Sequence, residues 1–195
     1  MVTSLIKREI AEQFNIYKDE LGIEEKVPLK FRGLGNGGGY FWGQVKLENG
    51  TVKQWSSYPE RTKFLLIHEL VHAKYKETKN PFLSTLIITP SLVLLYLMRE
   101  LRANTIAYQT LGCKDSILED YFYNYYPTQS NGYFNLSGGY VSGKTNVTLI
   151  KANPIWNRNA IEEAIEFFTS EFSYLKRTSK RKIEQVKNCF IEQLY

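Results

Sequence analysis

The sequence has few cysteines, the residues that cross-link many secreted proteins. Its 195 residues include two, Cys113 and Cys189, and no CxxC pair. Two cysteines are too few for a disulfide framework, so a reducing compartment is the simpler interpretation, although one bridge stays open. The first apolar stretch carries Lys7, Arg8 and Glu9, which a secretory signal does not tolerate. We therefore expect a cytoplasmic protein.

The sequence also lacks a strong excess of charge of either sign. Lysine and arginine number 25 against 20 acidic residues, and the formal net charge of +5 does not by itself indicate a nucleic-acid partner. No internal repeat or low-complexity tract interrupts the chain, and 43% of its residues are hydrophobic, which is enough for a core. These features predict one globular domain over residues 1–195.

Histidine is scarce, and its placement is informative. The only two histidines stand four residues apart in an HExxH motif, His68-Glu69-Leu70-Val71-His72. On a helix, positions i and i+4 share a face, so two imidazoles can meet one ion while Glu69 lies where it can deprotonate a metal-bound water. A chance match is the alternative, but a chain so poor in histidine places both at the metal spacing. We predict a zinc site.

A catalytic zinc takes three protein ligands and keeps one position open, so a further ligand is needed. Glu100 fits best, because Ala103 and Asn104 follow it at helical spacing, in a strip of small residues that lets its helix approach the histidine helix. Glu77 and Glu119 are poorer candidates, the first because it lies too near the motif and the second because its helical context is weaker.

With these motifs the chain resembles the gluzincins, zinc-dependent metallopeptidases that combine HExxH with a downstream glutamate. The resemblance covers about residues 27–110. It implies that one Zn²⁺ per chain is bound by His68, His72 and Glu100, and that Glu69 is the general base and acid.

The resemblance implies further features of the site. Asn104, one helical turn after Glu100, resembles a residue that orients a metal ligand. Residues 51–56 resemble the family's edge strand, which binds substrate in extended form. The family's downstream oxyanion-stabilising residue has no clear match, and Tyr108 and the tyrosines of residues 121–126 are its candidates. The implied reaction is hydrolysis of a peptide bond in a peptide or protein, with endopeptidase activity favoured.

Hydrophobic periodicity predicts an α+β fold. We expect a small antiparallel or mixed sheet packed on the active-site helix and on a following glutamate-bearing helix, with a helical C-terminal part. The expected sections are an N-terminal helix (1–26), the zinc-binding core (27–112), an irregular region rich in tyrosine, glycine and asparagine (113–156) and C-terminal helices (157–195).

Within the core, strands are expected at residues 27–32, 40–47 and 51–56, the last two joined by a hairpin at 48–50. The active-site helix is expected over residues 59–76, with Ser57 and Glu60 as a capping box. The glutamate-bearing helix is expected to begin with Thr89 as its cap and Pro90 as its first residue, and to stop at Gly112.

Two other signals are weaker. Residues 33–38 match GxGxxG, but a strand is predicted next, whereas a dinucleotide site needs a helix there, so we expect a loop. Residues 176–182 contain five lysines and arginines, and without interleaved aromatic residues they indicate a solvated helix junction and argue against nucleic acid.

Residues 82–98 carry no charge. As a helix these 17 residues span about 25 Å, less than the roughly 30 Å hydrocarbon core, and Pro90 interrupts them. A single crossing would also place His72 and Glu100 on opposite sides of the bilayer. Burial is therefore favoured, and membrane association through residues 82–98 stays open.

The competing hypothesis is a catalytically silent zinc-binding module that docks a partner, nucleic acid or a membrane surface. Its HExxH motif would be identical, so the sequence does not separate it from a peptidase. The sequence also leaves the substrate and the oligomeric state open.

Overall fold

A computed structural model describes residues 2–77, 89–126 and 140–195 of the chain. They form eight α-helices and a three-stranded sheet, which confirms the expected α+β class. The helices are α1 (Val2–Glu20), α2 (Asn49–Gln54), α3 (Pro59–Lys74), α4 (Pro90–Thr110), α5 (Asp115–Asp120), α6 (Gly143–Ala152), α7 (Arg158–Glu171) and α8 (Lys180–Ile191). The strands are β1 (Leu29–Phe31), β2 (Gly38–Phe41) and β3 (Gln44–Leu47).

The sheet is mixed, with strand order β1-β3-β2. β1 runs parallel to β3, and β2 runs antiparallel to it. The β2–β3 hairpin turns at Trp42 and Gly43, whose φ angles of 49° and 76° are both positive, as a two-residue type I′ turn requires. The hairpin predicted at residues 48–50 is therefore wrong, and the turn lies inside the strand predicted over 40–47.

Residues 51–56, expected as a strand, lie largely in helix α2, so that prediction is wrong. The backbone N–H groups of Asn49 and Gly50 donate to the carbonyl oxygens of Gly33 and Gly35 at 3.3 and 2.9 Å. The first turn of a helix leaves such N–H groups without partners inside the helix. The glycine-rich loop supplies these partners, and this long-range contact overrides the strand propensity of residues 51–56.

The loop at residues 33–38 leads into β2 and not into a helix, so the dinucleotide fingerprint lacks its required helix. Thr51 fixes the loop, because its Oγ1 accepts from the Gly37 N–H at 2.7 Å and donates to the Gly37 carbonyl at 3.0 Å. A Cβ atom added at Gly50 would overlap the carbonyl oxygen of Gly35. These glycines allow close backbone packing.

Residue contacts divide the chain into two compact units. Of the described residues, the first unit contains 2–77 and 106–121, and the second contains 89–105, 122–126 and 140–195. Helix α4 contributes residues to both units.

In the first unit, α1 and α3 carry much of the core. α1 buries one stripe that includes Ile10, Phe14 and Tyr17, as its periodicity predicts. α3 is buried on all sides over residues 64–73. It begins at Pro59 without a side-chain cap, so the capping box predicted for this helix is not formed.

The first unit also contains an ion pair between two helices, α3 and α5. Arg61 of α3 donates from Nε and Nη2 to the two carboxylate oxygens of Asp120, at 2.6 and 2.8 Å. Two parallel bonds fix direction as well as distance, so this pair orients α5 against the start of the histidine helix. Phe64 and Tyr121 add a ring contact at 4.3 Å between the centroids.

In the second unit, α4 begins as predicted. Thr89 Oγ1 accepts the Leu92 N–H at 3.3 Å, and Pro90 is the first helical residue. The expectation that residues 113–156 are irregular is wrong, because this stretch contains α5, a π-helical turn at Tyr121–Tyr125 and α6. The Ser142 side chain accepts the Thr145 N–H and caps α6.

The C-terminal part is helical, as expected. α7 and α8 bury their apolar faces, which include Phe168 and Phe190. The five basic residues of 176–182 lie exposed in the short 3-10 helix Leu175–Arg177 and at the start of α8. Cys113 and Cys189 are free thiols.

No helix among the described residues is long and apolar enough to span a membrane. Of the uncharged stretch at 82–98, residues from Pro90 onward belong to α4, where Val93, Leu94 and Leu97 are buried. Residues 82–88 lie outside the described residues.

Candidate metal centre

Helix α3 holds both histidines in the buried part of its length. His68 and His72 are 6% and 5% exposed, and their Nε2 atoms lie 3.1 Å apart. The rings meet edge to face, with centroids 4.7 Å apart and planes at 78°. The i, i+4 spacing therefore brings the two imidazole nitrogens close together on one face of the helix.

Glu100 of α4 joins this pair. One ligand atom from each of His68, His72 and Glu100 lies within 4.8 Å of the other two, and all three residues are buried. The predicted third ligand is therefore near both histidines, and the donor set of two imidazoles and one carboxylate is one that zinc takes in catalytic sites.

The separations fit one ion. Two nitrogens bound at about 2.05 Å to a tetrahedral zinc are about 3.3 Å from each other, close to the 3.1 Å between the imidazole Nε2 atoms. The residues present therefore fit a zinc ion.

Glu69, next to His68, is a buried carboxylate that is 6% exposed. Within the described parts of the chain, its side chain makes no hydrogen bond or ion pair. Its position in HExxH is the one that the sequence assigns to the general base.

Glu77, which the sequence places too near the motif to be the third ligand, contacts it in another way. Its carboxylate Oε2 lies 3.1 Å from His72 Nδ1, and the residue is 7% exposed. The spacing of the sequence does not predict this contact, since it depends on how α3 ends.

The end of α3 brings Glu77 back onto His72. The Lys76 N–H donates to the Ala73 carbonyl at 3.0 Å, and the Glu77 N–H donates to the His72 carbonyl at 2.8 Å. Lys76 has a φ of 54°, in the left-handed region. This pair of bonds around one left-handed residue is the Schellman motif, which returns the chain to the last helical turn.

Asn104, predicted to orient a ligand, lies fully buried on α4. Its Nδ2 donates to Asn146 Oδ1 at 3.2 Å, and Asn146 belongs to α6. The amide of Asn104 thus links two helices of the second unit. Its proposed role toward a metal ligand stays a prediction.

Three tyrosines that are candidates for stabilising the oxyanion have different surroundings. The Tyr108 hydroxyl donates to Asp115 Oδ1 at 2.6 Å. Tyr108 follows Glu100 by eight residues on α4, which is about 12 Å along the helix axis. Tyr121 packs its ring on Phe64, and Tyr123 is exposed. These contacts do not single out one tyrosine for the oxyanion.

No protein-family model, curated protein or solved structure matches this chain.

Proposed function

We propose that the protein is a zinc-dependent metallopeptidase of the gluzincin type. The observation that carries the proposal is the buried cluster of His68, His72 and Glu100, whose ligand atoms lie within 4.8 Å of one another. Two imidazoles and a carboxylate leave one coordination position of a tetrahedral ion open for water or substrate, as catalysis requires.

The three residues would hold the metal, and other side chains would do the proton chemistry. A zinc ion bound there supplies a Lewis acid that polarises a peptide carbonyl and makes water a stronger acid. Glu69 then accepts a proton from the attacking water and returns it to the leaving amine. Its lack of other partners in the described residues supports this role.

The substrate strand needs a new assignment, since residues 51–56 lie largely in α2. We assign the role to β2, which pairs with β3 on one side and forms an edge of the sheet among the described strands. An extended peptide can add to such an edge through backbone hydrogen bonds. This edge supports a peptide substrate that binds in extended form.

The Glu69→Gln variant tests the proposal. We expect it to keep one zinc per chain and to lose at least about 100-fold in turnover, because general-base catalysis contributes 10²- to 10⁴-fold. Turnover is measured on a library of fluorescence-quenched peptides, and metal content by mass spectrometry. Glu60→Gln is the matched control, since it removes an acid from the first turn of the same helix.

Three results separate the alternatives. Activity that disappears only in Glu69→Gln supports the peptidase. Zinc binding without activity in the wild type contradicts the peptidase and supports the catalytically silent module. Equal activity in the wild type and in Glu69→Gln contradicts the assigned base.

A further inference from the structure

We propose that Glu77 is a positioning residue that fixes the proton of His72 on Nδ1 and so keeps Nε2 free to bind the metal. The inference rests on the proposed function for the identity of the metal. The contact that carries it is the 3.1 Å separation between Glu77 Oε2 and His72 Nδ1.

Hydrogen-bond chemistry fixes the direction of this contact. An ionised carboxylate only accepts hydrogen bonds, so His72 must donate from Nδ1. In a neutral ring the other nitrogen, Nε2, then carries a lone pair. That nitrogen is the one that lies 3.1 Å from His68 Nε2, on the side of the ligand cluster.

Burial makes the contact effective. Both side chains of the pair are nearly enclosed, since only 6% of the His72 side chain and 5% of the Glu77 side chain are exposed. Water therefore competes little for the Nδ1 proton or for the carboxylate, and the hydrogen bond is stronger than it would be at the surface. Carboxylates in this position also raise the basicity of a metal-binding imidazole.

The backbone holds Glu77 in place. Its own N–H donates to the carbonyl of His72, so the two residues are joined by one backbone and one side-chain contact. The left-handed turn at Lys76 makes both possible. In many Schellman motifs an apolar contact joins the corresponding two positions, whereas here a carboxylate and an imidazole occupy them.

The tautomer is measured first, in the wild-type protein after removal of metal with EDTA. Because the chain has only two histidines, histidine-selective ¹⁵N labelling gives two imidazole rings, and His68→Gln assigns the remaining ring to His72. At pH 8.5 we expect His72 to carry its proton on Nδ1, the nitrogen that faces Glu77 Oε2. A proton on Nε2, or on both nitrogens, overturns the inference.

Variants then test the consequence for the metal. We expect Glu77→Ala to shift His72 toward the Nε2 proton and to weaken zinc binding by about 10- to 100-fold, measured by competition with a chromophoric chelator. Glu77→Gln keeps an accepting oxygen, so it should keep the tautomer and lose less affinity. Glu25→Gln is the control, because Glu25 pairs with Lys76, the left-handed residue of this turn.

The outcomes distinguish this inference from the proposed function. If the wild type binds zinc and Glu77→Ala binds it equally well, the positioning role is overturned and the zinc site stands. If the wild type binds no zinc, the proposed function fails, and the role of Glu77 toward a metal fails with it. A retained tautomer in Glu77→Gln beside a lost one in Glu77→Ala supports the inference even where one variant is less stable.

Discussion

Single residues determine the chemistry of the candidate site. His68, Glu69, His72 and Glu100 are each at most 6% exposed, although ionisable groups are seldom buried unless they are paired or bind a metal. The i, i+4 spacing predicts both histidines as ligands, and the need for a third ligand predicts Glu100. Glu77 is different, because its contact depends on a left-handed turn that no spacing rule indicates.

The pKa of Tyr17 determines how the free energy of unfolding responds to alkaline pH. Burial, followed by the nearby carboxylates of Glu60 and Glu20, raises the pKa of Tyr17 from 10.0 to about 12. Between these values the unfolded chain has lost the phenol proton and the folded chain keeps it. The folded state thus binds more protons, so the free energy of unfolding is preserved below pH 10 and falls as the pH rises towards 12.

We expect Tyr17→Phe to remove this part of the decline. The measurement is the free energy of unfolding by urea at pH 9 and pH 11, for the wild type and for the variant. Tyr123→Phe is the control, since Tyr123 is 47% exposed. An equal decline in the wild type and in Tyr17→Phe contradicts the account of Tyr17.

At the scale of elements, periodicity predicts the long helices and fails where distant contacts decide. α1, α3, α4, α7 and α8 lie where apolar residues recur at helical spacing. α2 forms because the carbonyls of the loop at residues 33–38 receive its first N–H groups. Propensity within residues 51–56 does not contain that contact, which explains the wrong strand.

The left-handed residue at the C-terminal end of α3 leads to a prediction about stability. Lys76 holds a left-handed conformation that costs a side-chain-bearing residue about 1 kcal/mol more than glycine. We expect Lys76→Gly to be about 1 kcal/mol more stable than Lys76→Ala. Both variants lose the exposed ion pair with Glu25, so their difference reports the backbone alone.

The sign of this difference is diagnostic, and thermal or urea unfolding measures it. Inside a helix alanine is more stable than glycine by about 1 kcal/mol, so the order would be the reverse. A more stable Lys76→Ala would show that α3 continues through residue 76 and would remove the turn that places Glu77.

For the whole molecule, composition and periodicity predict the α+β class with a small sheet and a helical C-terminal part, as found. The stretch at residues 113–156 is less predictable. Its tyrosine, glycine and asparagine content hides the start of α6, where Gly143 is needed because a Cβ atom would overlap the Phe122 carbonyl oxygen. Such close approaches arise only once the chain has folded.

Zinc content shows whether the whole molecule is a metal-binding protein. Zinc per chain is measured by mass spectrometry on purified wild type, Glu100→Ala and Glu119→Ala, together with zinc affinity by chelator competition. The account predicts one zinc in the wild type and in Glu119→Ala. It predicts that Glu100→Ala weakens binding by more than the roughly 10- to 100-fold that loss of an outer partner costs. Full zinc affinity in Glu100→Ala, or no zinc in the wild type when metal is supplied during folding, would contradict it.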